Sequence, residues 1–317
     1  MKRIAFLDTV HDVLQQGLEK AGWICDDLTR TTKAEIEKSI HNYQGIVIRS
    51  RFPMNADFLS KATSLEFIAR SGAGMENIDV PYCTQRGIQL FNAPEGNRNA
   101  VAEHALGMLL SLFNRLSLCH AEVRKGIWLR EENKGVELDG KTVGIIGYGN
   151  NGSAFAQKLK GFEVRILAYD KFKTGFGTSQ VIESDWETIC READVLSLHI
   201  PQNEETIHLI NDALIDRFSK PFYLLNLSRG KIVDTAALMR GIQSGKIAGA
   251  CLDVLEYEKS SFENMFDDKE SLPAPFKFIL ESDKVLLSPH VGGWTHESYY
   301  KLSRVLLDKI REHYKLG

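Results

Sequence analysis

A chain of 317 residues and 35.7 kDa can bury one large core or two ordinary ones, and 43% apolar with 26% charged residues is the composition of a globular protein. A net charge of −3 and an isoelectric point near 6.3 exclude an electrostatic case for nucleic acid or an anionic membrane as partner. No apolar run approaches the roughly 18 residues of a membrane span, and the N-terminal MKRIAFLD turns acidic too early for a signal peptide. The five cysteines (25, 83, 119, 190 and 251) are odd in number and never in CxxC spacing. They predict reduced thiols and a cytoplasmic location, with no metal site and no disulfide framework.

In chain order, RIAFLD (3–8), GIVIR (45–49), EFIAR (66–70) and GIQLF (87–91) read as buried parallel strands. HDVLQQGLEKAG and KAEIEKSIHNY lie between them with helical spacing. NAVAEHALGMLLSLFNRLSLCHAEVRKG (99–126) predicts one long apolar helix ended by glycine. A second strand series runs through KTVGIIG (141–147), EVRILAYD (163–170), DVLSLHI (194–200), FYLLNLS (222–228), IAGACLDV (247–254) and KVLLSPH (284–290). The acidic stretch 258–283 predicts a surface excursion, and HESYYKLSRVLLDKIREHYKL a closing helix. Alternating strands and helices in both series predict an α/β protein of two doubly wound parallel-sheet domains, Rossmann-like or flavodoxin-like, with a cleft between them. The expected division is 1–96 with 291–317, and an inserted domain over 97–290.

VGIIGYGNNG places Gly147, Gly149 and Gly152 in GxGxxG spacing between an apolar strand and the helical SAFAQKLKGF. The glycines allow a tight turn and close backbone approach to a pyrophosphate seated on the helix N-terminus. Asp170 ends the next strand, where a carboxylate accepts hydrogen bonds from ribose hydroxyls and repels a 2′-phosphate. The spacing predicts dinucleotide binding, with NAD favoured over NADP; Lys171 and Lys173 are the cations that would argue for NADP. The plain alternative is a glycine-rich turn with Asp170 as a helix cap.

Three further residues stand where strands of this second series run out. YLLNLSRGKIVD delivers Arg229, whose planar fork suits a carboxylate or polarised carbonyl. LDVLEYE carries Asp253, Glu256 and Glu258, and SPHVGGWTHE carries His290 before a pair of glycines. Hydride transfer to a ketone needs a proton donor near neutral pH, a role natural to histidine, and a paired carboxylate fixes its tautomer and favours its charged form. Taken singly, each is as well read as a surface ion-pair partner, a solvated acid or a structural histidine.

The ordered stretches RSGAGMENIDV, NAPEGNRNAVAEHALGMLL, LDGKTVGIIGYGNNG, LSLHIP, LLNLSRGKIVD, GACLDVLEYE and SPHVGGWTHES resemble the D-isomer-specific 2-hydroxyacid dehydrogenases over essentially the whole chain. The resemblance implies that Arg229 orients the substrate, that His290 is the acid/base, and that Glu258, five residues after Asp253, is its carboxylate partner. Lys259 stands where that family usually has proline. The resemblance places Gly147, Gly149, Asn150, Asn151, Gly152, Asp170, His199, Pro201, Thr206, Ser228, Asp253 and Gly293 around NAD. Asn151 departs from the apolar residue usual there. The turn Arg70–Asp79, with Ser71, Gly72, Ala73 and Gly74 at its apex, is implied to bind the substrate carboxylate through backbone amides. Arg49, Arg70 and Arg130 match cationic positions around the phosphate in members acting on 3-phosphoglycerate, with Arg51 a further charge; the alternative is ion pairing with acids such as Glu131 and Glu132. The implied activity is oxidation of 3-phosphoglycerate or reduction of 3-phosphohydroxypyruvate, as in a short-form phosphoglycerate dehydrogenase of serine biosynthesis without a C-terminal regulatory domain. Hydroxypyruvate or glyoxylate reduction is the alternative, and a non-catalytic NAD-sensing corepressor the reading from another class. A homodimer formed through helix 99–126 is expected.

Overall fold

The computed structural model describes residues 1–258 and 272–316. Contacts divide the chain into two units, Met1–Arg98 with Trp294–Gly317, and Asn99–Gly293.

In the first unit the elements run β1 (Arg3–Phe6), α1 (Val13–Lys20), β2 (Ile24–Asp27), α2 (Lys33–Ser39), β3 (Gly45–Ile48), α3 (Ala56–Lys61), β4 (Phe67–Arg70), α4 (Val80–Gln85) and β5 (Gln89–Asn92). All pairings are parallel, in the order β2-β1-β3-β4-β5. That is the flavodoxin order, whose direction reverses between β1 and β3. Because parallel strands are covered on both faces, their sequences are apolar throughout: every residue of the β3 run GIVI is buried. The C-terminal helix (His296–Tyr314) returns to this unit, burying Leu302, Leu306, Leu307 and Ile310 with Leu14 and Leu18 of α1. Edge strand β2, with the sequence ICDD, has no fully buried residue, so no apolar run announces it.

The second unit begins within α5 (Pro94–Phe113) and continues through α6 (Leu116–Arg124), β6 (Thr142–Ile146), α7 (Asn150–Lys158), β7 (Arg165–Tyr169), β8 (Val181–Glu183), α8 (Trp186–Glu192), β9 (Val195–Leu198), α9 (Asp212–Asp216), β10 (Phe222–Asn226), α10 (Thr235–Gln243), β11 (Ile247–Leu252), α11 (Ala274–Glu281) and β12 (Val285–Leu287). Its seven parallel strands are ordered β12-β11-β10-β9-β6-β7-β8. The strand order reverses between β6 and β9, so the loops after these two strands flank the position where open α/β sheets bind ligands. One core face gathers Leu196, Leu198, Leu224 and Leu252; the other gathers Val143, Ile145, Val195 and Leu225.

Two expectations are corrected. The single helix over 99–126 is two helices, starting earlier at Pro94 and broken at Asn114–Arg115. Arg115 takes a left-handed φ of 51°, Asn114 Nδ2 turns back to the Leu110 carbonyl, and the Phe113 carbonyl accepts from Val136 N–H. These hydrogen bonds, one of them from 23 residues along the chain, satisfy groups that a continuous helix would have paired. The stretch 258–283 is also more than an excursion, since it contains α11, which buries Phe276 and Ile279. Residues 259–271, including Lys259, lie outside the described residues.

Candidate active site

The glycine loop leaves β6 at Gly147, whose φ of +90° belongs to the left-handed region. A Cβ there would stand 2.5 Å from the His199 carbonyl oxygen, so the loops after β6 and β9 touch backbone to backbone. A Cβ on Gly152 would overlap the Gly147 carbonyl, which is why α7 can start so close to the strand. Gly149 caps α7 without a side-chain hydrogen bond and with open space where a Cβ would be. The first amides of the helix are therefore left for an anion. Asp170 is held in place: Oδ2 accepts from Tyr148 N–H at 2.8 Å, and Oδ1 from Phe172 and Lys173 N–H at 2.9 and 3.0 Å. Lys171, a candidate for a 2′-phosphate, is paired with Glu205. These residues fit a dinucleotide lacking that phosphate.

The loop after β9 closes on itself. Thr206 Oγ1 donates to the Pro201 carbonyl at 2.8 Å and accepts from Asn203 N–H at 2.8 Å. His199 Nε2 lies 2.9 Å from Ser197 Oγ, and burial pushes its imidazole down to about 4, so it is neutral at pH 7. Asn150 and Asn151 open α7, and the Asn151 side-chain oxygen is buried without a hydrogen-bond partner among the described residues. The apolar residue usual at this position would leave no such atom.

Arg229, Glu258 and His290 follow β10, β11 and β12, which are consecutive neighbours in the sheet. Asn226 ends β10 fully buried; its Nδ2 donates to the Arg229 carbonyl at 2.9 Å, and its Oδ1 accepts from the Ser228 hydroxyl at 2.8 Å. The Arg229 loop is thus set by a buried amide that the sequence motif contained but did not explain. Arg229 Nη1 donates to the Ser228 carbonyl at 2.6 Å. Beside it, Gly230 has room for no side chain, since a Cβ would overlap the Leu255 carbonyl and stand 2.7 Å from Glu256 N. Glu258 N–H in turn donates to that Leu255 carbonyl at 3.1 Å, so the Arg229 and Glu258 loops share a backbone contact.

His290 Nδ1 lies 3.1 Å from Glu258 Oε2 and 3.2 Å from Oε1. Glu256 is committed elsewhere: its carboxylate takes His208 Nε2 at 2.6 Å and Thr235 N–H at 2.9 Å. His290 itself adopts a left-handed φ of 55°, a conformation that costs a non-glycine residue about 1 kcal/mol or more. Asp253 over-determines this turn. Its buried carboxylate accepts from the Ser288 hydroxyl at 2.6 Å and from Val291 and Gly292 N–H at 2.9 and 2.8 Å, while its carbonyl accepts from His290 N–H at 2.8 Å. Sequence reasoning placed Asp253 with the cofactor contacts; in the structure its carboxylate also holds the turn at His290, three residues before Gly293. His104 on α5 completes the clamp, with Nε2 2.9 Å from Ser288 Oγ. Nothing in the sequence pattern singled out His104 or Ser288 beyond a polar residue at the end of an apolar strand.

The remaining expected residues belong to the first unit, apart from Arg130, which is exposed in the second. Arg49 and Arg70 lie at the carboxyl ends of neighbouring strands, where Ile48 is in register with Arg70. Of the apex amides, Ser71 N–H donates to the Ile48 carbonyl and Gly72 N–H to the Arg70 carbonyl. Among the described residues Ala73 and Gly74 N–H have no acceptor, and Asn92 Nδ2 steadies the turn through the Ala73 carbonyl at 2.7 Å. A Cβ on Gly72 would run into the Arg70 guanidinium. Arg51 is engaged otherwise, donating to the carbonyls of Leu7, Leu28 and Thr31 at 3.0, 2.9 and 2.7 Å. It holds loops together. The five cysteines are free thiols, and no helix among the described residues is long and apolar enough to cross a membrane.

Residues 106–292 match the family model for the D-isomer specific 2-hydroxyacid dehydrogenase, NAD binding domain. The chain is 33% identical over 295 residues to D-3-phosphoglycerate dehydrogenase of Archaeoglobus fulgidus, covering 92% of this chain and 54% of that one. It is 34% identical over 279 residues to hydroxypyruvate reductase of Thermotoga maritima, covering 88% and 87%. Among solved structures, D-lactate dehydrogenase of Aquifex aeolicus, complexed with NAD and lactic acid, superposes with a TM-score of 0.82 at 28% identity, covering 99% of this chain and 95% of that one. The chain spans about half the length of the phosphoglycerate dehydrogenases it matches.

Proposed function

Because the chain belongs to the D-isomer specific 2-hydroxyacid dehydrogenase family, we propose that it is an NAD-dependent oxidoreductase acting on 3-phosphoglycerate and 3-phosphohydroxypyruvate. The observation that carries the reading is the His290–Glu258 pair, 3.1 Å apart, beyond the carboxyl ends of β12 and β11 in the same sheet whose β6 and β10 lead into the glycine loop and Arg229. Bound NAD supplies the hydride acceptor or donor for C2 of the acid. Glu258 accepts from Nδ1–H, so His290 Nε2 is the nitrogen that exchanges the substrate hydroxyl proton, and the carboxylate stabilises the positive charge as the ring takes it up. Arg229 binds the carboxylate and the C2 oxygen with its fork. Ala73 and Gly74 N–H take the carboxylate; Arg49, Arg70 and Arg130 take the phosphate. Exposed Leu116, Val123 and Trp128, on and just after α6, form the apolar surface proposed for a homodimer. Free, scattered thiols support a cytoplasmic setting.

Reduction of hydroxypyruvate or glyoxylate is the second reading, supported by the identity to the Thermotoga maritima reductase and by the commitment of Arg51 to carbonyls. NADH oxidation measured with 3-phosphohydroxypyruvate, hydroxypyruvate, glyoxylate and pyruvate separates the readings. Arg130→Ala is expected to raise KM for the phosphorylated acid about tenfold more than for glyoxylate, from the loss of one charged hydrogen-bonding partner. Equal losses would remove the phosphate site. Absence of turnover with every acid, with NADH still bound, would leave a sensing role in place of the enzyme.

A further inference from the structure

Trp294 and Arg49 meet inside the first unit, where Arg49 Cζ lies 3.9 Å from the centroid of the Trp294 ring. So short a distance to the centroid requires the guanidinium to lie over the ring face, since an edge contact would add the ring's own radius. A guanidinium held over a ring face has more N–H donors than the ring can engage, and the others remain able to bind an oxyanion. The indole has aromatic neighbours: Tyr299 meets it edge-on at 5.4 Å, and His11 meets Tyr299 at 5.7 Å. The backbone of Arg49 is fixed as well. Asp8 Oδ2 accepts from Arg49, Ser50 and Arg51 N–H at 2.6, 3.1 and 3.2 Å, which occupies the nearest acid with amides. Among the described residues the Arg49 guanidinium makes no ion pair and no side-chain hydrogen bond. Burial holds it below the usual arginine value, with Asp8 and Tyr299 acting in the opposite sense. This half-buried cation stands just beyond β3, beside the reversal of strand order between β1 and β3, where open sheets of this kind take ligands.

We infer that Trp294 is the positioning residue of an anion site centred on Arg49, and that by holding the guanidinium it selects acids carrying a second oxyanion group beyond the reacting carbon. The inference rests on the reading of Arg49 as a substrate residue, and the test separates the two. 3-Phosphoglycerate is titrated calorimetrically into the NADH-saturated full chain, a combination that cannot turn over, with glycolate as the single-anion control. Trp294→Ala should weaken 3-phosphoglycerate binding about tenfold, while Trp294→Phe, which keeps a ring face, should stay within about threefold; glycolate should change less than about twofold in either variant. If Arg49→Ala leaves 3-phosphoglycerate affinity unchanged, Arg49 is not a substrate residue and the underlying reading fails. If Arg49→Ala weakens binding but Trp294→Ala does not, or if Trp294→Ala weakens glycolate equally, the role assigned to Trp294 is overturned. A readout without ligand accompanies these. The emission of Trp294, obtained by subtracting the Trp294→Phe spectrum, should shift on Arg49→Ala, and an unshifted spectrum would show that the stack is not formed. Trp294 is 44% exposed, so its truncation seals no cavity, and the thermal midpoint checks the fold of each variant.

Discussion

Gly230→Ala is the most demanding test of how the Arg229 and Glu258 loops are held. The position needs space and not a left-handed backbone, since its φ lies outside that region. The added carbon would stand 2.0 Å from the Leu255 carbonyl oxygen, 2.1 Å from its carbon and 2.7 Å from Glu256 N, so the loops must separate by roughly 1.4 Å to restore an ordinary contact at 3.4 Å. Neither loop yields easily. Asn226 ties the Arg229 side through the Arg229 carbonyl and Ser228, and the Leu255 carbonyl that would be struck is the one that accepts from Glu258 N–H. Overpacking of this kind costs about 1–3 kcal/mol of stability. A misplacement of about 1 Å or more between groups that act on one substrate costs on the order of 100-fold in turnover. The assay is kcat for NADH-dependent reduction of the best 2-oxo acid, with urea denaturation on the same variant. A fall in kcat of about 30- to 100-fold, with a stability loss of about 1–3 kcal/mol, is expected. A variant with kcat within threefold of the parent and an unchanged midpoint would refute the argument that backbone contact at Gly230 sets the two side chains.

Glu258→Gln should lower kcat by about 100-fold, within the range for general acid–base catalysis, whereas Glu256→Gln, which faces His208 and Thr235, should stay within about fivefold; similar losses in both would reassign the carboxylate. His199 is held to about 4 against an ordinary 6.5, so between these values the unfolded chain binds more protons than the folded one. Its contribution is complete above pH 6.5 and is lost as pH falls toward 4, up to about 3 kcal/mol in denaturation midpoints between pH 7 and 4. His199→Gln should flatten that slope, and an unchanged slope would show that another group carries it. Asn151→Leu removes a buried oxygen without a partner and should stabilise the protein by about 1 kcal/mol, raising the thermal midpoint about 2–4 °C; an unchanged or lower midpoint would show that the atom is satisfied in solution.

Strands buried on both faces were legible because burial forces an unbroken apolar run: GIVI, TVGII and VLSL stand out against polar surroundings. Edge strands β2 and β8 were not, because a strand with one neighbour and two partly exposed faces needs no such run; VIE buries only Val181. The break at Asn114–Arg115 was hidden for a related reason. Its determinants are distant partners, Asn133 for the Arg115 guanidinium and Val136 for the Phe113 carbonyl, within a window whose apolar residues continue across the break.

The candidate site divides along the same line. Residue types and spacing by themselves predicted a dinucleotide site at a glycine loop with Asp170, and placed Arg229, an acid after Asp253 and His290 after successive strands, because such signals depend on local backbone and side-chain chemistry. Residue types alone left Glu256 and Glu258 equal, and the family resemblance implied Glu258; in the structure the two acids, two residues apart, turn to His208 and His290 respectively. Only the tertiary structure decided that Asp253, Ser288 and His104 hold the left-handed turn of His290, and that Trp294 lies over Arg49. Those contacts join segments up to 245 positions apart, from residue 49 to residue 294. They exist once the sheets are assembled, and no local pattern encodes them.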